Sequence, residues 1–298
     1  MQILKYTPIT CAQACHYHNK PWLPFKRDLN VYRGCIHGCK YCYALYSHKY
    51  MEEENFYGNI FYKENIVEQL EKQLSSPRWK KEIINLWGVT DNYQSAEAYF
   101  KLMPEIRKLL IKYKTPATIS TKSDLILRDI ELIDQLSQIT SVNVALTITT
   151  MDTKIQKLIE PNASPSKKRF EVLKAFSRTR ASRGVHLMPI IPCFTDTKEN
   201  IESIYANAKD SKVNYVLPGM MYLRWQTRVA FFSFIKKEVP HRYEKITTLY
   251  QTGWVNSKYK DEFYSMFNII RNKYQIPSWE KERKEMKSEL RYQNQRLF

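Results

Sequence analysis

Between residues 29 and 218 short apolar runs alternate with amphipathic segments, and this alternation limits the fold more than any other feature of the chain. The runs at 29–33, 83–90, 117–121, 142–148, 185–191 and 213–217 read as strands. The segments at 64–74, 96–113, 129–136, 167–182 and 197–209 read as helices. Ile66, Val67, Leu70 and Leu74 fall on one face of the first helix, the spacing of a core-facing stripe. Asp196 or Thr197 stands where the last of these helices needs a cap. Strands separated by helices connect through right-handed crossovers and so build a parallel sheet. Six such units are too few for an eight-fold barrel and suit an open, partial (β/α)6 TIM-like barrel, an α/β fold. In barrels of this kind the loops after the strands carry the chemistry, so functional residues are expected just past the strand ends.

Three regions are expected. Residues 1–28 form an N-terminal extension, 29–219 the barrel, and 220–298 a helical extension packed on it. The last region is aromatic and basic, with 16 basic and 8 acidic residues between positions 222 and 298. Its final stretch, "WEKERKEMKSELRYQNQRLF", reads as a solvated helix or frayed tail. The whole chain carries a net charge of +17, from 47 basic and 30 acidic residues. Such an excess suits a polyanionic partner, nucleic acid in particular; the bland alternative is a lysine-rich proteome. No run of about 18 apolar residues is present, so a membrane-spanning helix is not expected. The N-terminus lacks the basic and apolar regions of a secretory signal. Six cysteines in 298 residues are too sparse for a disulfide scaffold. The expected location is cytoplasmic.

Three of those cysteines crowd into "RGCIHGCKYCYA", residues 33–44. Cys35, Cys39 and Cys42 are spaced Cys-x3-Cys-x2-Cys with no fourth cysteine nearby. A structural zinc site needs four ligands, and His37 or His48 would have to supply the last. A four-iron cluster held by three thiolates instead leaves one iron open to a small molecule. A second group, Cys11, Cys15, His16 and His18, has the ligand count of a zinc site at a cramped spacing.

The cysteine spacing, with Tyr41 before the last thiol and the loop placed after a first strand, resembles the radical S-adenosylmethionine (SAM) enzymes. Within them, the successive blocks "NVYRGCIHGCKYCYA", "GVTDNYQSAE", "TISTKSDLILRD", "LTITTMD", "LIEPNASPSKKRFEVLKAF" and "MPIIPCFTD" are similar to the spore photoproduct lyase-like, or DNA repair photolyase-like, branch over about residues 29–219. The resemblance implies a 4Fe–4S cluster on Cys35, Cys39 and Cys42 whose open iron chelates SAM. One electron then cleaves SAM to a 5′-deoxyadenosyl radical that abstracts hydrogen from substrate. It also implies an electron donor such as flavodoxin or ferredoxin.

Further residues follow from the same resemblance. Tyr41 is expected against the adenosyl part, and Thr90 and Asp91 near the SAM amino group or the substrate. Ser120 and Lys122, around Thr121, belong to a block that meets the SAM carboxylate, where an ammonium is physically apt. Thr147 and Thr149 are expected on the carboxylate or ribose, and Glu160 pairing with Arg169 near the cofactor. An ordinary cap at Asp91 or Ser95, a rim lysine and a surface ion pair are the competing structural readings. One departure matters: Gly88 stands where true spore photoproduct lyases carry the cysteine that returns hydrogen to the product radical. Cys193 is the remaining candidate catalytic thiol, against the competing reading of a packed core thiol. Tyr43 and other tyrosines near the mouth would suit base stacking. The expected function is radical chemistry on a nucleic acid. The alternatives are the same chemistry on a peptide or small metabolite, or a non-enzymatic zinc-bearing nucleic-acid-binding protein.

Overall fold

The computed structural model describes residues 4–20, 23, 25–51, 55–280, 282 and 284. The strands are β1 (Lys5–Ile9), β2 (Cys15–Tyr17), β3 (Arg27–Leu29), β4 (Tyr32–Arg33), β5 (Asn59–Lys63), β6 (Ile84–Asn85), β7 (Ala117–Thr121), β8 (Val142–Thr147), β9 (Ser182–Ile190) and β10 (Tyr215–Met220). The α-helices are α1 (Ile66–Leu74), α2 (Ala96–Phe100), α3 (Leu102–Lys112), α4 (Ile130–Ile139), α5 (Thr153–Ile159), α6 (Ser166–Phe176), α7 (Lys198–Asp210), α8 (Trp225–Glu238), α9 (Tyr243–Leu249) and α10 (Ser257–Tyr274).

The main sheet runs β10-β9-β8-β7-β6-β3-β2, with every pair parallel except β2 on β3. Six parallel strands in sequence order, joined through helices, make the partial barrel. Every residue of β7 and β8 is buried, as strands covered on both faces must be. Ile66, Leu70 and Leu74 of α1 enter the core, as do Ile130, Ile133 and Leu136 of α4. Among the described residues no helix is long and apolar enough to cross a membrane.

Several elements depart from the sequence reading, each for a local reason. The run at 29–33 splits. Leu29 ends the barrel strand, and Tyr32–Arg33 pair antiparallel with β5 in a second sheet, β1-β5-β4. Asn92 causes the split by accepting from Val31 N (3.0 Å) and donating to the Leu29 carbonyl (3.2 Å). The run at 83–90 shrinks to Ile84–Asn85, and residues after Leu86 leave the sheet as a loop. The helix expected over 96–113 breaks at Lys101, which takes φ 51°. Pro104 cannot donate a backbone proton to a continuing helix, while Glu97 accepts from Leu102 N (3.2 Å) and Met103 N (2.9 Å) to start a new one. The helix expected to reach 182 stops at Phe176, because 182 already begins β9. Thr197, not Asp196, caps α7 by accepting from Asn200 N; Asp196 instead accepts the Tyr259 hydroxyl.

Among the described residues beyond 220, α8, α9 and α10 lie against the barrel. Tyr205 of α7 meets Phe267 of α10 edge-on, with ring centroids 5.6 Å apart. Phe231, Phe234, Ile235, Ile246 and Tyr250 form a second apolar cluster with Cys39, Tyr41 and Phe194. The tail from 285 onward lies outside the described residues.

Candidate active site

The cysteine loop is shaped by glycine at its entry. Gly34 takes φ +80°, and a Cβ there would stand 2.7 Å from the Asn59 carbonyl oxygen; no side chain fits. From there the loop is held by polar side chains from distant segments. Thr90 Oγ1 (2.6 Å) and Gln94 Nε2 (3.1 Å) donate to the Gly34 carbonyl, and Gln94 Oε1 accepts from Ile36 N (2.9 Å). Asn162 Nδ2 donates to the Ile36 carbonyl (2.8 Å) and Lys40 N to the Ile159 carbonyl (2.9 Å). From the C-terminal helices, Thr227 donates to the Cys42 carbonyl (3.0 Å). Cys35, Cys39 and Cys42 thereby line one cavity of about 780 Å³.

Two carboxylates, one partly and one fully buried, brace this cavity. Asp91 Oδ1 accepts from Tyr93 N (2.9 Å) and Thr121 Oγ1 (2.8 Å); its Oδ2 accepts from Lys122 N (2.8 Å) and lies 3.4 Å from His37 Nδ1. Glu160 is fully buried, as is its partner Arg169, whose Nη2 stands 2.5 Å from Glu160 Oε2. The Tyr41 hydroxyl and Thr149 Oγ1 (3.1 Å) donate to the other oxygen, and Arg169 Nη1 donates to the Thr147 carbonyl (2.7 Å). Burial pushes the Glu160 carboxyl up, but Arg169, Lys122 and the Tyr41 bond outweigh it and hold it below the usual range. Lys122 lines the cavity with its ammonium 5.7 Å from the Tyr41 ring centroid, and no ion pair engages it among the described residues. Burial pushes the Cys39 thiol up to about 12, against the opposing pull of Lys122.

A third network runs from the barrel interior to the cavity wall. Asn143 Nδ2 donates to Thr118 Oγ1 (3.2 Å) and to the Tyr215 hydroxyl (3.0 Å). That hydroxyl lies 3.3 Å from His186 Nε2, and His186 Nδ1 lies 3.1 Å from Ser120 Oγ. With Asn143 as the donor to Tyr215, the Tyr215 proton is expected on Nε2, which leaves the ring hydrogen on Nδ1 to donate to Ser120. Ser120 lines the cavity, and in this wiring its own proton is the one it would offer there. The network needs a glycine at 184, where a Cβ would stand 2.0 Å from Tyr215 Cζ. Burial, with Lys122 nearby, lowers the His186 pKa to about 3. The imidazole is expected to remain neutral with the proton on Nδ1 at pH 5, checked by histidine-selective 15N NMR; an Nε2–H ring would overturn this wiring. Unfolded chains protonate histidine below about 6.5, so this residue's contribution to stability is complete above that pH. As the pH falls from there toward 3, the folded state loses about 1.4 kcal/mol per pH unit from His186.

Of the residues singled out from sequence, Cys35, Cys39, Tyr41, Cys42, Thr90, Asp91, Ser120, Lys122 and Thr147 line the cavity. Thr149, Glu160 and Arg169 stand behind its wall as the brace described above. The Glu160–Arg169 pair is therefore no surface ion pair. Thr90 and Asp91 spend their polar atoms on the cysteine loop and on the end of β7. Cys193 is not among the cavity-lining residues: it takes φ 66° past the end of β9 and packs half-buried on the second apolar cluster. Cys11, Cys15, His16 and His18 do not gather. Cys15 is buried with its backbone tied to Gln73, His16 points off the other face of β2, and His18 Nε2 lies 3.5 Å from Asp28. Among the described residues no three Cys, His, Asp or Glu side chains converge as ligands of a single ion would.

The sequence reading missed much of the wall. Trp87, Met188, Met220, Met221, Tyr222, Arg224, Trp225 and Thr227 all line the cavity. The last four come from the start of the C-terminal region and carry no motif. Gly88 lines it as well and accepts the Tyr43 hydroxyl on its carbonyl. The donor set fits an iron–sulfur group bound through three thiols, with an unpaired ammonium in the same cavity for a carboxylate.

The radical SAM superfamily model matches residues 29–206. An uncharacterized protein of Mycobacterium bovis is 29% identical over 254 residues, 84% of this chain and 75% of that protein. An uncharacterized protein of Methanocaldococcus jannaschii is 29% identical over 248 residues, 83% of this chain and 87% of that one. The structure of a spore photoproduct lyase with bound AdoMet and dinucleoside spore photoproduct is similar at a TM-score of 0.66, over 90% of this chain and 79% of that one. Its sequence identity is 11%, so the likeness is one of fold. The family match spans more than half of the chain and takes in all three clustered cysteines: the chain belongs to the radical SAM superfamily, enzymes that work with a 4Fe–4S cluster and SAM.

Proposed function

We propose that this radical SAM enzyme abstracts hydrogen from a nucleotide of DNA, with Cys35, Cys39 and Cys42 holding the cluster and Lys122 the SAM carboxylate. The observation that carries the chemistry is that three thiols and an ammonium free of any ion pair among the described residues line one cavity. The bound cluster and SAM supply one-electron cleavage of SAM, and with it hydrogen abstraction. The chain's own residues do the rest. Lys122 neutralises a carboxylate away from bulk water, and Ser120 donates a hydrogen bond to an acceptor in the cavity. The Tyr41 ring is fixed by its hydroxyl on Glu160. Trp87, Met188, Met220 and Met221 provide an apolar wall that excludes water and stray hydrogen donors. An external one-electron donor of flavodoxin or ferredoxin type completes the reading.

The DNA part rests on the +17 charge and on the fold shared with a lyase solved with a dinucleoside photoproduct. Because Gly88 replaces a thiol and Cys193 lies off the cavity wall, the reading stops at hydrogen abstraction and does not extend to the photoproduct lyase reaction. The test is anaerobic reconstitution with iron and sulfide, reduction, and chromatography for 5′-deoxyadenosine with and without irradiated DNA. DNA-stimulated release is expected, together with DNA affinity that falls steeply as salt rises. Release that ignores DNA, with salt-indifferent behaviour, would move the substrate to a peptide or small metabolite.

A further inference from the structure

The rim of the cavity carries an aromatic and guanidinium cluster that lies outside the cysteine motif. The Arg224 guanidinium lies 4.2 Å from the Trp225 ring centroid and 5.2 Å from that of Tyr222. Tyr222 in turn stacks on Trp254 at 4.0 Å with an interplanar angle of 25°. Gly253 permits that stack, since a Cβ there would come within 2.7 Å of the Tyr222 ring. Arg228 fastens the two segments by donating to the Thr252 and Tyr250 carbonyls, both at 2.7 Å. Yet Trp225 remains 67% exposed and Trp254 60% exposed. Large rings in contact with a guanidinium or a second ring and still open to solvent are not core residues. Trp225 and Tyr222 also line the cavity, so one side of the cluster faces the chemistry.

We propose that Trp225, backed by Arg224, Tyr222 and Trp254, is a stacking platform for the base that flanks the reacting nucleotide, and that it makes the enzyme select unpaired DNA over duplex. The proposal rests on the nucleic-acid reading above and deepens it. Exposed aromatic faces beside cations in a basic protein suit single-stranded nucleic acid, because every base has a π-face and every linkage a charge. A cavity of about 780 Å³ that must also take the cluster and SAM has room left for a base, not for a helix. A nucleotide that reacts inside it must leave the stack, and its neighbour then loses a stacking partner. Trp225 replaces that partner at the rim.

The experiment uses the full-length protein, anaerobic and without SAM. It measures fluorescence anisotropy of a labelled DNA decamer as single strand, as blunt duplex and as the RNA equivalent, alongside the protein's own tryptophan emission. The single strand is expected to bind at least tenfold more tightly than the duplex at equal salt and to quench tryptophan emission. Trp225→Ala should weaken single-strand binding about tenfold, the loss of one stacked base, with duplex binding little changed and Trp225→Phe restoring most of the loss. Trp225 is exposed, so the variant is expected to melt with the wild type, and Arg224→Gln provides a second, independent weakening. Equal affinity for single strand and duplex, preference for RNA, or an alanine variant that binds as wild type would overturn the platform. Failure of the radical reading looks different: no 5′-deoxyadenosine from the reconstituted enzyme, with the Trp225-dependent binding intact.

Discussion

Arg169→Met is expected to lower the stability of the protein by about 3–5 kcal/mol, the cost of leaving a buried charge without its partner. Arg169 and Glu160 are both fully buried, and the guanidinium also spans the carbonyls of Thr147 and Ser164 at 2.7 Å each. Removing it strands a carboxylate and two acceptors together. Urea denaturation gives the measure: a shifted midpoint at constant slope, with part of the loss recovered when Glu160→Gln is added. A single variant within 1 kcal/mol of wild type would mean that water reaches the pair. The same carboxyl makes the protein acid-sensitive. Its folded pKa lies below the unfolded value, so its contribution is complete above about pH 4.3 and disappears as the pH falls through the folded value.

Cys39→Ala is expected to reduce both bound iron and release of 5′-deoxyadenosine to background. Cys39 is the buried member of the triad, and its neighbours Tyr41 and Lys122 address the same cavity. With one thiol gone, two remain, and a cluster left with two open irons has no tight seat. Cys193→Ala run in parallel should retain both iron and SAM cleavage, because that thiol packs among Phe194 and the residues of α8 and α9 rather than on the cavity wall. Iron counts, visible absorption and product chromatography together distinguish a lost cluster from a lost reaction. Full activity in Cys39→Ala would remove the cysteine loop from the chemistry altogether.

Local pattern made some of this legible and hid the rest. The cysteine spacing, the stripe of Ile66, Leu70 and Leu74, and the run of buried strands β7 and β8 are short-range signals, and each marked its element. The second sheet was invisible because β1 meets β5 across about fifty residues, a pairing no window contains. The helix break at Lys101 was readable in principle from Pro104, but it needed Glu97 to supply the new start. Asn92 and Gln94 fall in the block "GVTDNYQSAE", whose resemblance points to cofactor or substrate, and only the folded chain shows that they fasten Leu29, Gly34 and Ile36. Arg224 and Trp225 escaped for the same reason, since their value depends on the cavity that the barrel brings to them. Glu160 and Arg169 were paired correctly from sequence, yet their depth was not readable from an alternation of charges.

The fastening of the cysteine loop has a consequence for how the enzyme is made. Residues 33–42 owe their shape to Thr90 and Gln94, then to Ile159 and Asn162, and last to Thr227. During synthesis the three cysteines emerge before every group that spaces them, the first 56 residues and the last 185 residues further along the chain. A nascent chain therefore presents loose thiols, open to oxidation or to the wrong metal, until the barrel has closed around them. A cluster seat of this shape is complete only once α8 has docked, so the order of the sequence puts cluster delivery after folding.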